Sequence, residues 1–204
     1  MDRKRIDEIA QRYMLNKKSH SHRESGWVYF HGKRTAQLAL SLRKRIFPND
    51  ASYDDILFAA ALFHDVGKGD EPHNESGSRI VCEALAEEMQ LDKLALAAEW
   101  IWQHNYRQRA DLSLSDGAKL LMDADLIDHT GSIDIWLGCT YMAYDSGNIQ
   151  ELLNYYHTKG LEELRSWPET LWFELSSLVL KERVDFEVKF FDRLLKEEEG
   201  QLLI

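Results

Sequence analysis

Ala60-Ala61-Leu62-Phe63-His64-Asp65-Val66-Gly67-Lys68 is an apolar helical stretch that runs straight into two residues of metal-ligand type. Residues three and four apart share a helix face, so Leu57, Ala60 and Ala61 form one stripe and His64 continues it. The imidazole is therefore aimed where the core stripe is aimed, with Asp65 beside it. Gly67 stands where a helix-ending residue belongs. The next segment, Gly67–Glu75, is rich in Gly, Pro, Asp and His and is expected to be a loop at the mouth of a site.

Three other helical stretches repeat the pattern. His31 lines up with Thr35, Leu38 and Leu42; Ala97, Trp100 and Ile101 lead to His104; Ala118, Leu121 and Met122 lead to Asp125. Taken singly, each has a bland reading: a core histidine bonded to a carbonyl, or an aspartate in a cap or ion pair. Taken together, four buried polar groups without partners would cost on the order of 1–3 kcal/mol each. Convergence on one cation satisfies them jointly.

The chain has 204 residues, enough for one domain with a helical extension. Strand signals are almost absent, and the expected class is all-α. Helices are predicted over Asp2–Met14, Trp27–Phe47, Tyr53–Val66, Ser76–Met89, Lys93–Asn105, Leu114–His129, Ile133–Asp145, Asn148–Thr158 and Trp167–Glu199. Ser52 with Asp55, Ser113 with Asp116, and Ser166 with Glu169 have the spacing of capping pairs. The expected division is a metal-binding helical domain over 1–147 and a C-terminal helical extension over 148–204 packed on the same domain.

No apolar run approaches membrane-span length, and the charged start leads into an amphipathic segment, so a cytoplasmic protein is expected. A net charge of −10, with the only short basic run at Leu42–Ile46, argues against a nucleic-acid scaffold. It does not exclude a small phosphorylated substrate, because a bound metal can reverse the local field. Cys82 and Cys139 show no pairing pattern and are expected to be buried free thiols. Trp100, Trp102 and Trp136 are expected in the core. His20 and His22, in the polar loop Asn16–Ser25, and His129 and His157 are left outside the site.

His31, then His64-Asp65, then Asp125, on successive helices, resembles the HD-domain metalloproteins. The segments that carry the resemblance are Phe30–Ala36 (Phe-His-Gly-Lys-Arg-Thr-Ala), Ala60–Lys68 and Met122–Asp128 (Met-Asp-Ala-Asp-Leu-Ile-Asp), within a match covering roughly Gly26 to Gly131. The resemblance implies a helical bundle of the HD type with added C-terminal helices, with His31, His64, Asp65 and Asp125 as the core metal ligands. Within Asp123-Ala124-Asp125 the family's ligand comes after the small residue, which selects Asp125. Asp123 is expected to face solvent or stand behind the ligands. His73, read as a loop residue, and His104 occupy places where some members supply ligands for a second metal.

The implied activity is that of a metal-dependent phosphohydrolase acting on a small phosphorylated metabolite, foremost a nucleotide, through a metal-activated hydroxide. His and carboxylate ligands suit Mn, Fe, Co, Ni or Zn, one or two ions per chain. Lys68 and Arg34, with Asp65, would serve catalysis. Arg34 is as readily read as one half of a surface salt bridge. Asp128, one turn past Asp125, would orient a ligand or water, or cap the helix end. Two rivals stand beside this reading: a di-iron oxygenase with the same ligands, and a metal-bound regulatory module without turnover. Assembly as a homodimer is left open.

Overall fold

In a computed structural model, the structure describes residues 1–70, 72–106 and 113–203. The described residues are helices joined by turns, with no strand among them, and no helix among them is long and apolar enough to cross a membrane. The chain divides into two compact units, Met1–Asp125 and Leu126–Ile204.

The first unit holds α1 (Arg3–Met14), α2 (Trp27–Ile46), α3 (Asp54–Phe63), α4 (His73–Ala84), α5 (Leu91–Gln103) and most of α6 (Asp116–Asp128). At its centre lies α3, whose residues Ile56 to Phe63 are all buried. It packs against α1, α2 and α5, while α4 packs on α5. A helix so enclosed delivers the residues at its end into the interior, and those residues are His64 and Asp65.

The start of α3 is held by charge, not by the expected Ser52 cap. Ser52 instead donates its hydroxyl to Asp50 at 2.6 Å, and Tyr53 takes the N-cap position. Asp54 and Asp55 lie in the first turn, where negative charge suits the helix dipole. Arg43 pairs with Asp54, and Arg3 with Asp55 at 3.0 Å. For α6, Ser115 rather than Ser113 accepts a first-turn bond, from the Ala118 N–H at 3.3 Å.

Two glycines set helix spacing near the histidines. A Cβ on Gly32 would run into the Leu62 carbonyl, so α2 and α3 touch backbone to backbone between His31 and His64. A Cβ on Gly117 would strike the Trp100 ring, so α6 lies close over α5.

The second unit holds the end of α6, then α7 (Ser132–Tyr144), α8 (Ile149–Tyr155), α9 (Leu161–Ser166) and α10 (Glu174–Glu198). A full capping box, Asn148 with Glu151, opens α8. The helix expected over Asn148–Thr158 passes into a π-helical turn, Tyr156–Gly160. The helix expected over Trp167–Glu199 is broken: Trp167–Thr170 is a 3-10 turn, Leu171 is extended, and α10 begins at Glu174. The Ser166 hydroxyl donates back to the Glu163 carbonyl at 2.7 Å and makes no cap bond to the turn that follows.

Two expectations of burial fail. Cys82 is only half-buried and Cys139 is exposed, although both thiols are free. Trp136 is 53% exposed, whereas Trp100 is buried. Asp123 is fully buried, which excludes solvent and agrees with the other place expected for it, behind the ligands. Its neighbours Met122 and Ala124 are buried too, and α6 is enclosed on more than the one face that its stripe marks.

Candidate metal centre

His64 and Asp65 stand in the turn just past α3, where the backbone leaves the core but the side chains do not. His31 and His64 are completely buried, and Asp65 and His104 nearly so. The His31 Nε2 lies 3.1 Å from the His64 Nε2 and 3.1 Å from the Asp125 Oδ1. The His64 Nε2 is 3.4 Å from the same aspartate oxygen. Asp65 reaches both histidines at 3.9 Å. Helices α2 and α6 and the end of α3 thus bring four ligand-type side chains to one point.

A second group meets on the other side of Asp65. Its Oδ1 lies 3.5 Å from the His73 Nε2 and 3.8 Å from the His104 Nε2. His31, His64 and Asp65 form one set able to hold a metal ion, and Asp65, His73 and His104 form another; within each set the ligand atoms lie within 4.8 Å of one another. Asp65 belongs to both. His73 is not in a loop: Pro72 takes the N-cap position and His73 opens α4. The expected loop therefore ends at Pro72, and its Glu71 lies outside the described residues.

The hydrogen bonds on the far ring nitrogens show that the donor set fits a cation. The His64 Nδ1 faces the Ala61 carbonyl at 2.8 Å, and the His104 Nδ1 faces the Ile101 carbonyl. A carbonyl only accepts, so each Nδ1 carries the proton and each Nε2 turns a lone pair inward. Lone pairs and carboxylate oxygens then crowd one small volume. Burial pushes the Asp65 carboxyl up, but the facing His64, then the neighbouring His104, His31 and Lys68 outweigh it and hold it well below the carboxylate range. Burial pushes the His64 imidazole down, yet Asp65 and Asp125 outweigh this and raise it. Both directions report a site that attracts positive charge, which a divalent cation supplies more fully than a proton.

The Lys68 ammonium is 3.5 Å from Asp65. The Arg34 guanidinium is half-buried over the Trp27 ring, 5.2 Å from its centroid. Asp128 is buried at the last residue of α6. Two neighbours went unnoticed in the sequence. Trp27 stacks on His31 with ring centroids 5.9 Å apart and planes 10° apart. The Asn105 side-chain nitrogen lies 3.0 Å from the His73 Nε2. Spacing alone marks Trp27, which sits one turn before His31 on the same face. Nothing in the sequence marks Asn105. The second unit has a pocket of its own, about 210 Å³, with Asp134, Tyr156 and Trp167 in its wall. Among the described residues no histidine lines it, and the two sets that share Asp65 belong to the first unit.

The HD domain family profile matches residues 28–130. Three solved structures are similar. One is a predicted HD superfamily hydrolase from an uncultured Thermotogales bacterium, 22% identical, TM-score 0.64, covering 95% of this chain and 91% of that one. Another is an HD-superfamily hydrolase from Bacillus thuringiensis, 21% identical, TM-score 0.69, covering 98% of this chain and 100% of that one. The third is Bacillus subtilis YpgQ in complex with ADP, 18% identical, TM-score 0.64, covering 95% of this chain and 97% of that one. At these identities the likeness shows the fold. No curated protein matches the chain.

Proposed function

The chain belongs to the HD domain family, and from that premise we propose that it is a metal-dependent phosphohydrolase acting on a small phosphorylated metabolite, a nucleotide. The observation that carries the reading is Asp65, which stands between two histidine sets and is common to both. His31, His64, Asp65 and Asp125 would hold one divalent transition metal, and Asp65, His73 and His104 a second. When bound, such an ion supplies Lewis acidity and lowers the pKa of coordinated water from about 16 to near 7.

The chain's own residues do the rest. The inward lone pairs of His64 and His104 are fixed by their carbonyl partners, so these ligands are oriented before any ion arrives. Lys68 sets an ammonium beside Asp65 and would stabilise the charge that develops on phosphoryl oxygens. Arg34, spread over Trp27 beside His31, offers a planar fork of the kind that matches phosphate. The ADP bound to the B. subtilis relative supports a nucleotide as the substrate class here.

The test is a screen of phosphorylated metabolites with the chain loaded with Mn or Co. Release of phosphate or pyrophosphate is expected. No release from any of them, together with oxygen uptake by the reduced iron-loaded chain, would replace the hydrolase by an oxygenase. No turnover in either assay would favour a binding module.

A further inference from the structure

The cavity of the second unit is walled entirely by residues between Asp134 and Trp167. The helical segment that closes it is irregular. Tyr155 ends α8, the π-helical turn Tyr156–Gly160 follows, and Glu163, Leu164 and Trp167 come after Gly160 at helical spacing. Such π turns are rare and are frequent at functional sites. This one brings two adjacent tyrosines into the wall. The Tyr155 and Tyr156 rings have centroids 5.8 Å apart and planes at 86°, so they form a corner. Phe191, stacked on Tyr156, and the Tyr156 hydroxyl, which donates to Asp134 at 2.9 Å, fix one side of that corner. Two glycines leave room beside it. A Cβ on Gly160 would lie 3.2 Å from the Tyr155 ring, and one on Gly138 would lie 3.3 Å from the Tyr156 ring. Both glycines line the cavity, and neither sets a side chain between it and the rings.

The charge of the cavity is of one sign. Asp134 and Glu163 stand in its wall, and among the described residues no Lys, Arg or His does. Both carboxylates face the same ring: burial first, then Glu163 and Asp134, push the Tyr155 hydroxyl up. Glu163 is exposed and forms no ion pair among the described residues. The rest of the wall, with Met142, Leu152 and Leu164, is apolar. At about 210 Å³ the cavity is smaller than the roughly 300–1,000 Å³ of sites for drug-sized ligands, so its occupant is compact. Aromatic faces beside carboxylates suit a cation. An ammonium with N–H groups would need acceptors, and Asp134 already accepts the Tyr156 hydroxyl. A quaternary ammonium needs none, and its methyl groups match the apolar wall.

We infer that this cavity is a binding site for a small quaternary ammonium compound, whose methylated cation sits in the corner of Tyr155 and Tyr156 with Asp134 and Glu163 as counter-charge. The rings attract the cation through their negative faces, more strongly where water is excluded. Glu163, exposed at the edge, draws the cation in, and the apolar wall covers its methyl groups. The inference stands on the second unit alone and does not depend on the phosphohydrolase reading.

The test is calorimetric titration of the full chain, with Mn present, using choline chloride, ethanolamine hydrochloride and neohexyl alcohol. Choline carries both charge and methyl groups. Ethanolamine carries the charge without the methyl groups, and neohexyl alcohol has the shape of choline without its charge. Wild type should bind one choline per chain, about tenfold tighter than either control. Tyr155→Leu, which keeps an apolar wall and removes the ring, should weaken choline about fivefold. Glu163→Gln should weaken it about twofold. Neither variant should change the binding of neohexyl alcohol. Both residues are exposed, so both variants should fold, and their melting temperatures check this. No choline binding by wild type, equal binding of choline and either control, or wild-type choline affinity in either variant would overturn the inference.

Discussion

Each of the two units buries carboxylates, and each settles the excess negative charge differently. In the first unit Asp65 is enclosed among His31, His64, His73 and His104, all turned toward it. In the second unit Glu187 is fully buried, accepts the Gly131 N–H, and has Asp134 as a neighbour. Asp134 in turn accepts the Tyr156 hydroxyl at 2.9 Å. Arg183, close by in sequence, donates to the Ile127 carbonyl at 2.7 Å. Burial and then the charge of Asp134 push the Glu187 carboxyl up to about 8, whereas Asp65 is held far down. Glu187 thus keeps a proton at neutral pH, and Asp65 stays ionised among inward lone pairs. A carboxylate that will not take a proton in a buried site is prepared for another cation. The same residue class therefore serves packing in one unit and chemistry in the other, and the neighbours decide which.

The sharpest way to break the comparison is to remove the residue shared by both histidine sets. Asp65→Ala should lose both ions, leave metal content near background, and lower phosphohydrolase turnover by roughly a thousandfold or more. His104→Ala should keep the first ion, halve the metal content, and still lose most activity. Metal analysis of the purified variants, paired with rates, measures both. Wild-type metal content in Asp65→Ala would show that the cluster is a packed polar core and not a metal centre.

How far this centre was legible in the sequence depends on the kind of geometry that built it. His31, His104 and Asp125 were legible because helical spacing aims a residue along its stripe, and α2, α5 and α6 keep that spacing. His64 continued the α3 stripe into the turn beyond it. The role of Asp65 as the common member was not legible, because it depends on where four other side chains arrive. His73 was misplaced because α4 opens at His73, behind the N-cap Pro72, three residues before the predicted start at Ser76. The broken helix before α10 was hidden because Ser166 with Glu169 carries a cap signal, but Ser166 bonds backward to Glu163, and Ser177 donates to the Pro168 carbonyl at 2.7 Å. Local propensity was present, and bonds formed across the break decided the outcome.

A smaller effect sharpens the comparison through stability. The ligands come from α2, α4, α5, α6 and the end of α3, so a bound ion ties these elements together. Chelation should lower the melting temperature, and restoring Mn or Co should raise it again. At a free metal concentration a hundredfold above Kd, linkage gives about 2.7 kcal/mol, or roughly 5–10 °C for a chain of this size. Asp65→Ala should melt at the same temperature with and without metal. Scanning calorimetry of both proteins reads this directly, and equal melting of the apo and loaded wild type would remove the cross-linking role.

The smallest effect belongs to the second unit and concerns pH. Glu187 ionises near 4.5 when unfolded and near 8 when folded. Between those values the unfolded chain has released a proton that the folded chain retains, so stability falls as pH rises through the interval. Glu187→Gln keeps an oxygen for the Gly131 N–H and places a group that cannot ionise beside Asp134. The variant should therefore lose less melting temperature than wild type between pH 5 and pH 8.5. His64, raised in the metal-free chain, acts with the same sign: its contribution is present below 6.5 and is lost as pH rises through its folded value. Metal binding, which displaces that proton, strengthens as pH rises and acts with the opposite sign. The measurement is therefore made in chelator, as the difference between wild type and Glu187→Gln at each pH, so that the His64 contribution cancels. A difference that does not widen with pH would mean that Glu187 is ionised in the folded protein, and that the two units do not differ in how they hold buried acid.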